Sequence, residues 1–175
     1  LSDRDVFDYI TIHKQFCAAS AHGAALMEID ERRAIKMLIE HHDEASPLEV
    51  IHSICRLDQG VVRDEAQEEG FGPLLSRRIK QLSDTWAKRL YKYLECLHRR
   101  DPSITDFDTI LVEMCASYEP DNMMNLLQSS NSFSLDEALH ACVKNNLVKE
   151  QVFVLGRMGS NIDALHLIVE NIGDV

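Results

Sequence analysis

The sequence predicts an all-α fold, an α-solenoid of short antiparallel helices stacked on one another. Apolar residues recur at i, i+3 and i+4 in segments of about ten to twelve residues, most of them opened by a capping residue. No run of alternating β-branched residues bounded by turn signals is present, and only seven glycines and four prolines interrupt the 175 residues. Several segments are apolar on more than one face. A helix of that length spans roughly 15 to 18 Å at 1.5 Å per residue and is not stable alone in water. A two-faced one therefore needs neighbours on both sides, which a stack supplies.

The stretch Ser134 to Gly173 carries this pattern most plainly. Ser134-Leu-Asp-Glu137 is a capping box, in which the serine hydroxyl accepts an orphan N–H and the glutamate reaches back. Leu135, Ala138, Leu139, Cys142 and Val143 form one helical face, and Asn145-Asn146 supplies a left-handed stop. The next helix, about Val148 to Arg157, places Val152, Phe153, Val154 and Leu155 in succession, so apolar groups surround its axis. Gly156 and Gly159 loosen its end. Ser160 or Asn161 caps a third helix, whose Ala164, Leu165, Leu167, Ile168, Val169 and Ile172 exceed one stripe before Gly173.

The N-terminal third repeats the rhythm. Asp3 or Asp5 caps a helix through Val6, Phe7, Ile10 and Ile12 to about Lys14. A small-residue helix runs from Cys17 through Ala18, Ala21, Ala24, Ala25 and Leu26, with Gly23 weakening it by ~1 kcal/mol. Asp30 caps a third, with Ala34, Ile35, Leu38 and Ile39 inward and Arg32, Arg33, Lys36 and Glu40 mostly outward. Ser46-Pro47 opens a fourth through Leu48, Val50, Ile51 and Ile54. Residues 34–40 and 164–170 share the string Ala-hydrophobic-basic-hydrophobic, a faint internal similarity that amphipathic helices also reach by pattern alone.

From Arg56 the periodicity lapses, and residues 57–72, charged and glycine-broken, predict a mobile loop or insertion. Residues 73–100 predict a long amphipathic basic helix from Pro73, with a possible break at 83–85, ended by Asp101-Pro102. Thr105 or Asp106 caps a helix through Ile110, Leu111, Met114 and Cys115. Pro120 starts another through Met123, Met124, Leu126 and Leu127. The whole, residues 1–175, reads as a single solenoid fragment. Starting without methionine and stopping just after Gly173-Asp174, it predicts an excised piece of a longer protein with some helix faces left uncapped.

The net charge is −11, unevenly placed: Ser76 to Arg100 holds eight basic residues against Asp84 and Glu95, a local +6. On a continuous helix, Arg78, Arg89, Lys92 and Arg99 fall near one stripe opposite the leucines. These four are the candidate contacts for an acidic partner or acidic lipid headgroups, set against a plainly solvated face balanced by the acidic loop before it. A sequence pI near 5.1 argues against nucleic acid. No apolar run approaches the ~18 residues of a membrane span, and no signal-peptide or lipidation pattern is found, so the expectation is a soluble, cytoplasmic chain that meets membranes peripherally. Five scattered cysteines read as small buried hydrophobes in a reducing compartment.

Motifs for chemistry are sparse. His13 with Cys17 and His52 with Cys55 have helical ligand spacing, but no pair recurs at a zinc-site spacing. His42-Asp43 matches the dipeptide of helical HD-type metal phosphohydrolases, with His13 or His22 and a later Asp needed to complete the cage. Near a helix end it equally forms a polar terminus, where imidazole complements the dipole. No phosphate loop, dinucleotide fingerprint or nucleophile elbow is present. The sequence assigns no catalytic residue, metal ligand or cofactor.

Ser134-Leu-Asp-Glu-Ala-Leu139, Asn145-Asn146, Glu150 to Gly159 and Asp163 to Asp174 resemble the clathrin heavy-chain repeat region of the vacuolar protein sorting subunits of the HOPS tethering complex. Phe7-Asp-Tyr-Ile with His13-Lys14, Asp30 to Leu38 and Tyr118 to Leu127 are similar too, and Leu155-Gly-Arg-Met-Gly159 is the most telling string. Residues 57–84 fall outside the resemblance. It implies a parent with an N-terminal β-propeller, a helical solenoid and a C-terminal RING-type zinc domain. It also implies vesicle transport and fusion at the late endosome and the vacuole or lysosome, with other tethering subunits, a Rab-type GTPase, SNAREs and adaptor protein complex three as partners, self-association, and no catalytic residue in this region. The remaining alternatives are the scaffold of another coat or tether complex and the HD-type hydrolase.

Overall fold

In the computed structural model, residues 3–60 and 72–173 are described. They form eleven α-helices, α1 (Asp3–His13), α2 (Phe16–Ala21), α3 (Gly23–Glu40), α4 (Pro47–Gln59), α5 (Pro73–Lys80), α6 (Asp84–Arg100), α7 (Asp108–Tyr118), α8 (Met123–Ser129), α9 (Leu135–Lys144), α10 (Val148–Arg157) and α11 (Asn161–Gly173), with no strand among the described residues. The fold class is the all-α solenoid type that the sequence predicts. The helices group into two compact units, Leu1–Arg100 and Asp101–Val175.

In the first unit, consecutive helices from α1 to α5 pack on one another and α6 lies against α3 and α4. Phe7 and Ile10 anchor α1, whereas Ile12 points outward. Lys14 at φ 50° ends this helix. The small-residue segment is not one helix: the chain breaks at His22 (φ −115°, ψ 17°), and Gly23 opens α3 instead of weakening an interior. Its role is close approach, since a Cβ there would sit 3.2 Å from Val50 Cγ1. The new helix start lacks a cap of its own. Ser53 of α4 provides one, its hydroxyl accepting from Ala24 N–H at 3.0 Å while donating to the Val50 carbonyl at 2.7 Å. Arg56 does the converse for α2, donating to the Ala21 carbonyl at 3.3 Å.

Asp30 caps as the sequence predicts, leaving the helical region (φ −152°, ψ 98°) and accepting Arg33 N–H at 3.0 Å within α3. Ala34, Ile35, Leu38 and Ile39 are buried. Pro47 begins α4, although the Ser46 hydroxyl makes no cap bond. This helix continues to Gln59, three residues into the predicted loop, and Gly60 (φ 64°) closes it; residues 61–71 of that loop lie outside the described residues. The segment 73–100 is two helices, α5 and α6, parted at residues 81–83, slightly before the break read from Ser83-Asp84-Thr85. On α6 the apolar face is as expected: Trp86, Leu90, Tyr93, Leu94 and Leu97 are buried.

In the second unit, α7 starts at Asp108 after Phe107, later than Thr105 or Asp106 would place it. It is buried on most sides through Ile110, Leu111, Val112, Met114, Cys115 and Ala116, and packs against α8 and α9. A 3₁₀ turn, Pro120–Asn122, leads into α8. The Ser134 hydroxyl accepts Glu137 N–H at 3.4 Å, and Asn146 adopts φ 56°, so both ends of α9 are set as the sequence dictates. Val143, expected inward, is 53% exposed. On α10, Val154 is fully buried with Val152, Phe153 and Leu155 half-covered around it. Among the described residues of α11 Ala164 is buried, while Ile162, Leu165, Ile168, Val169 and Ile172 are exposed.

Arg157, on α10, ties this unit together. Its Nη1 donates to the Leu127 and Ser130 carbonyls at 3.2 and 3.3 Å and its Nη2 to Asn131 Oδ1 at 2.9 Å. The guanidinium also lies 5.0 Å from the Phe133 ring centroid and 6.0 Å from that of Phe153. These carbonyls are orphans of the α8 C-terminus, which a forked cation satisfies. The buried Asp108 carboxylate accepts from the Ser130 hydroxyl in the same corner.

Candidate partner-binding surface

The four basic candidates do not form one stripe. Arg78 is on α5 and only 8% exposed, its Nε donating to Gln59 Oε1 at 3.3 Å while Gln59 Nε2 donates to the Arg78 carbonyl at 2.7 Å. The break at residues 81–83 changes the helical phase, so Arg78 packs on α4 instead of joining the α6 face. The remaining three, Arg89, Lys92 and Arg99, lie on α6 and reach solvent to different degrees.

Arg89 and Lys92 converge on Glu31 of α3, with Nε to Oε2 at 3.2 Å and Nζ to Oε1 at 2.7 Å. The Lys92 hydrogen bond chiefly holds the Glu31 carboxyl below the ordinary glutamate range; partial burial pushes the other way, and the charges of Lys92 and Arg89 reinforce the hydrogen bond. The Arg89 guanidinium also stacks over Trp86 at 4.6 Å. Arg99 pairs with Glu95 one turn away on α6. The basic face is thus balanced from α3 and from within α6. A trough of about 640 Å³ lies beside it between α3 and α6, floored by Ile35, Ile39 and Cys96.

The histidine and cysteine pairs with ligand spacing do not assemble into a site among the described residues. His13 ends α1 and Cys17 is exposed on α2, with Lys14 in the left-handed region between them. His52 and Cys55 share α4, but burial pushes the Cys55 thiol up to about 11, against the thiolate a metal needs. Burial likewise raises the Cys142 thiol to about 12 and lowers the His52 pKa. His42 Nδ1 is 2.9 Å from the Ile39 carbonyl and its Nε2 3.4 Å from Asp43, the polar helix terminus described above. Among the described residues no three His, Cys, Asp or Glu side chains are placed to hold a metal ion. Cys55, Cys115 and Cys142 are buried as expected, Cys96 is half-buried, and Cys17 is exposed because α2 turns it outward.

The family model for the Vps41 TPR-like region matches residues 1–175. The chain belongs to the Vps41 family. Vacuolar protein sorting-associated protein 41 homologs are similar along nearly all of it: that of tomato (Solanum lycopersicum) is 32% identical over 172 residues, covering 98% of this chain and 16% of the relative. The Arabidopsis thaliana homolog is 30% identical over the same share of each. The human homolog is 27% identical over 176 residues, all of this chain and 17% of the relative. The chain therefore spans about a sixth of the length of the curated relatives it matches. No solved structure matches it. The Vps41 match runs through residues 57–84, which the resemblance read from the sequence left out. No helix of the described residues is long and apolar enough to cross a membrane.

Sequence reasoning missed Glu31, the residue around which this surface is built. It lies 58 and 61 residues from its partners Arg89 and Lys92, so no spacing rule connects them. An acidic residue beside the Asp30 cap reads simply as a favourable first-turn charge.

Proposed function

We propose that this region is a non-catalytic scaffold and interaction module of a HOPS-like membrane-tethering complex in vesicle transport and fusion at the late endosome and the vacuole or lysosome. The observation that supports it most is the match of residues 1–175 to the Vps41 TPR-like region, carried by short helices packed on one another within each unit. Ser53, Arg56 and Arg157 all serve as helix-end caps in trans. Stacked helices of this kind hold other domains at fixed spacing and offer their flanks to partners. Other tethering subunits are the partners in this reading. Adaptor protein complex three, a Rab-type GTPase and SNAREs are reached through the parent protein, which is peripheral on the membrane.

The test is recovery of HOPS subunits on the tagged full-length parent with and without this region. Loss of subunits on deletion, with the parent still expressed at its normal level, is the expected result. Full recovery without the region overturns the scaffold role.

A further inference from the structure

We propose that the trough between α3 and α6 is a docking site for an acidic amphipathic helix of a partner protein. The proposal deepens the scaffold reading and rests on it. Ile35 and Ile39 of α3 with Cys96 of α6 give an apolar floor that follows α3 from Glu31 to Glu40, about 14 Å at 1.5 Å per residue, or about two and a half turns of a guest helix. A helix laid in such a groove is anchored by apolar residues at i, i+3 or i+4, and i+7. About 640 Å³ accommodates those anchors.

The rim charges select the sign of the guest. Each rim carboxylate is answered within the chain: Glu31 by Arg89 and Lys92, Glu40 by Lys36 at 3.8 Å, and Glu95 by Arg99. Two rim cations remain. Arg32, beside Glu31, and Arg100, two turns past Lys92 on α6, are exposed and have no acidic partner among the described residues. In a chain of net charge −11, an aliphatic trough with an unanswered guanidinium near each end complements a helix whose flanks carry glutamate or aspartate. Arginine suits the task, since its fork takes a carboxylate bidentately.

The experiment is a titration of the isotope-labelled 175-residue chain, followed by amide shifts, with a synthetic helical peptide bearing leucines at the anchor positions and glutamates on both flanks. A second peptide replaces every glutamate by lysine. Saturable shifts at Ile35, Ile39 and Cys96 with the glutamate peptide, at least about tenfold tighter than with the lysine peptide and weakened by salt, are expected. Arg32→Glu with Arg100→Glu, both at exposed positions, should invert that preference while leaving the thermal melt unchanged. Absence of groove shifts, or equal affinity for the two peptides, overturns the proposal. So do groove shifts produced only by phosphatidylserine vesicles, which make the face a membrane contact, or only by raising the protein concentration, which make it a self-contact. Absence of peptide binding, with HOPS subunits still lost on deletion of the region, sinks the groove alone; peptide binding together with full recovery of the subunits after deletion sinks the scaffold reading.

Discussion

Replacing Arg157 by alanine tests whether a single forked cation secures the second unit. This guanidinium donates three hydrogen bonds, two of them to carbonyls that have no helical N–H to accept from. Bonds to charged groups contribute about 1.5 to 3 kcal/mol when buried; these are half-exposed and two exceed 3.1 Å, so about 1 kcal/mol each is appropriate for the carbonyl pair. The Asn131 contact is exposed and adds little. Stacking over Phe133 adds about 0.5 to 1 kcal/mol. The expected loss is about 3 kcal/mol, which for a chain of this length lowers Tm by roughly 6 to 12 °C. Urea and thermal denaturation of the 175-residue chain, followed by far-UV circular dichroism, measure it. Arg157→Lys keeps the charge, but its single ammonium lacks the second arm that reaches Asn131 and the planar group that stacks over Phe133, so it should recover about half. A loss below ~0.5 kcal/mol for Arg157→Ala, the range of ordinary surface changes, refutes the argument that these carbonyls depend on it.

Ser53→Ala removes the cap that α4 lends to α3 and leaves Ala24 N–H buried without an acceptor; a loss of about 1 to 2 kcal/mol in urea unfolding is expected. Glu31→Gln should show a pH-dependent effect. Its carboxyl is held below its unfolded value, so its contribution is present above the ordinary glutamate pKa of 4.5 and is lost as pH falls through the lower folded value. Wild type should therefore exceed the variant near neutrality by no more than about 1 kcal/mol for a pair this solvated, and the gap should close below pH 4.5; a gap that widens on acidification contradicts the pairing. Val169→Glu, on the exposed face of α11, should change stability by less than ~0.5 kcal/mol and reduce any concentration-dependent association in sedimentation velocity. A large loss of stability there means that the face is covered within the chain.

The residues that set helix ends and faces were legible where the cause is local. Ser134, Asp30, Pro47, Asn146 and Asp101-Pro102 act within a few residues of themselves, through a hydroxyl or carboxylate that reaches the next turn or a backbone held to one region. The burial of Val50, Ile51 and Ile54, or of Leu90 and Leu94, follows equally from period alone. The His22 break was not legible, because its compensation comes from Ser53 and Arg56, about thirty residues on. Arg78 looked like an outward charge for a similar reason: a short interruption at 81–83 changed its phase, and Gln59 of another helix received it.

Sequence alone determined the class, most of the helices and most of their inward faces, since hydrogen-bond caps and amphipathic period are properties of neighbours along the chain. The packed structure decided which cations are answered: Glu31 meets Arg89 and Lys92 across about sixty residues, and Arg32 and Arg100 have no acidic partner among the described residues. Charge pairing depends on separation in space, falling off over a few ångströms in a screened medium. Helical period fixes the direction of a side chain, and only the packing of α3 against α6 fixes what stands opposite it.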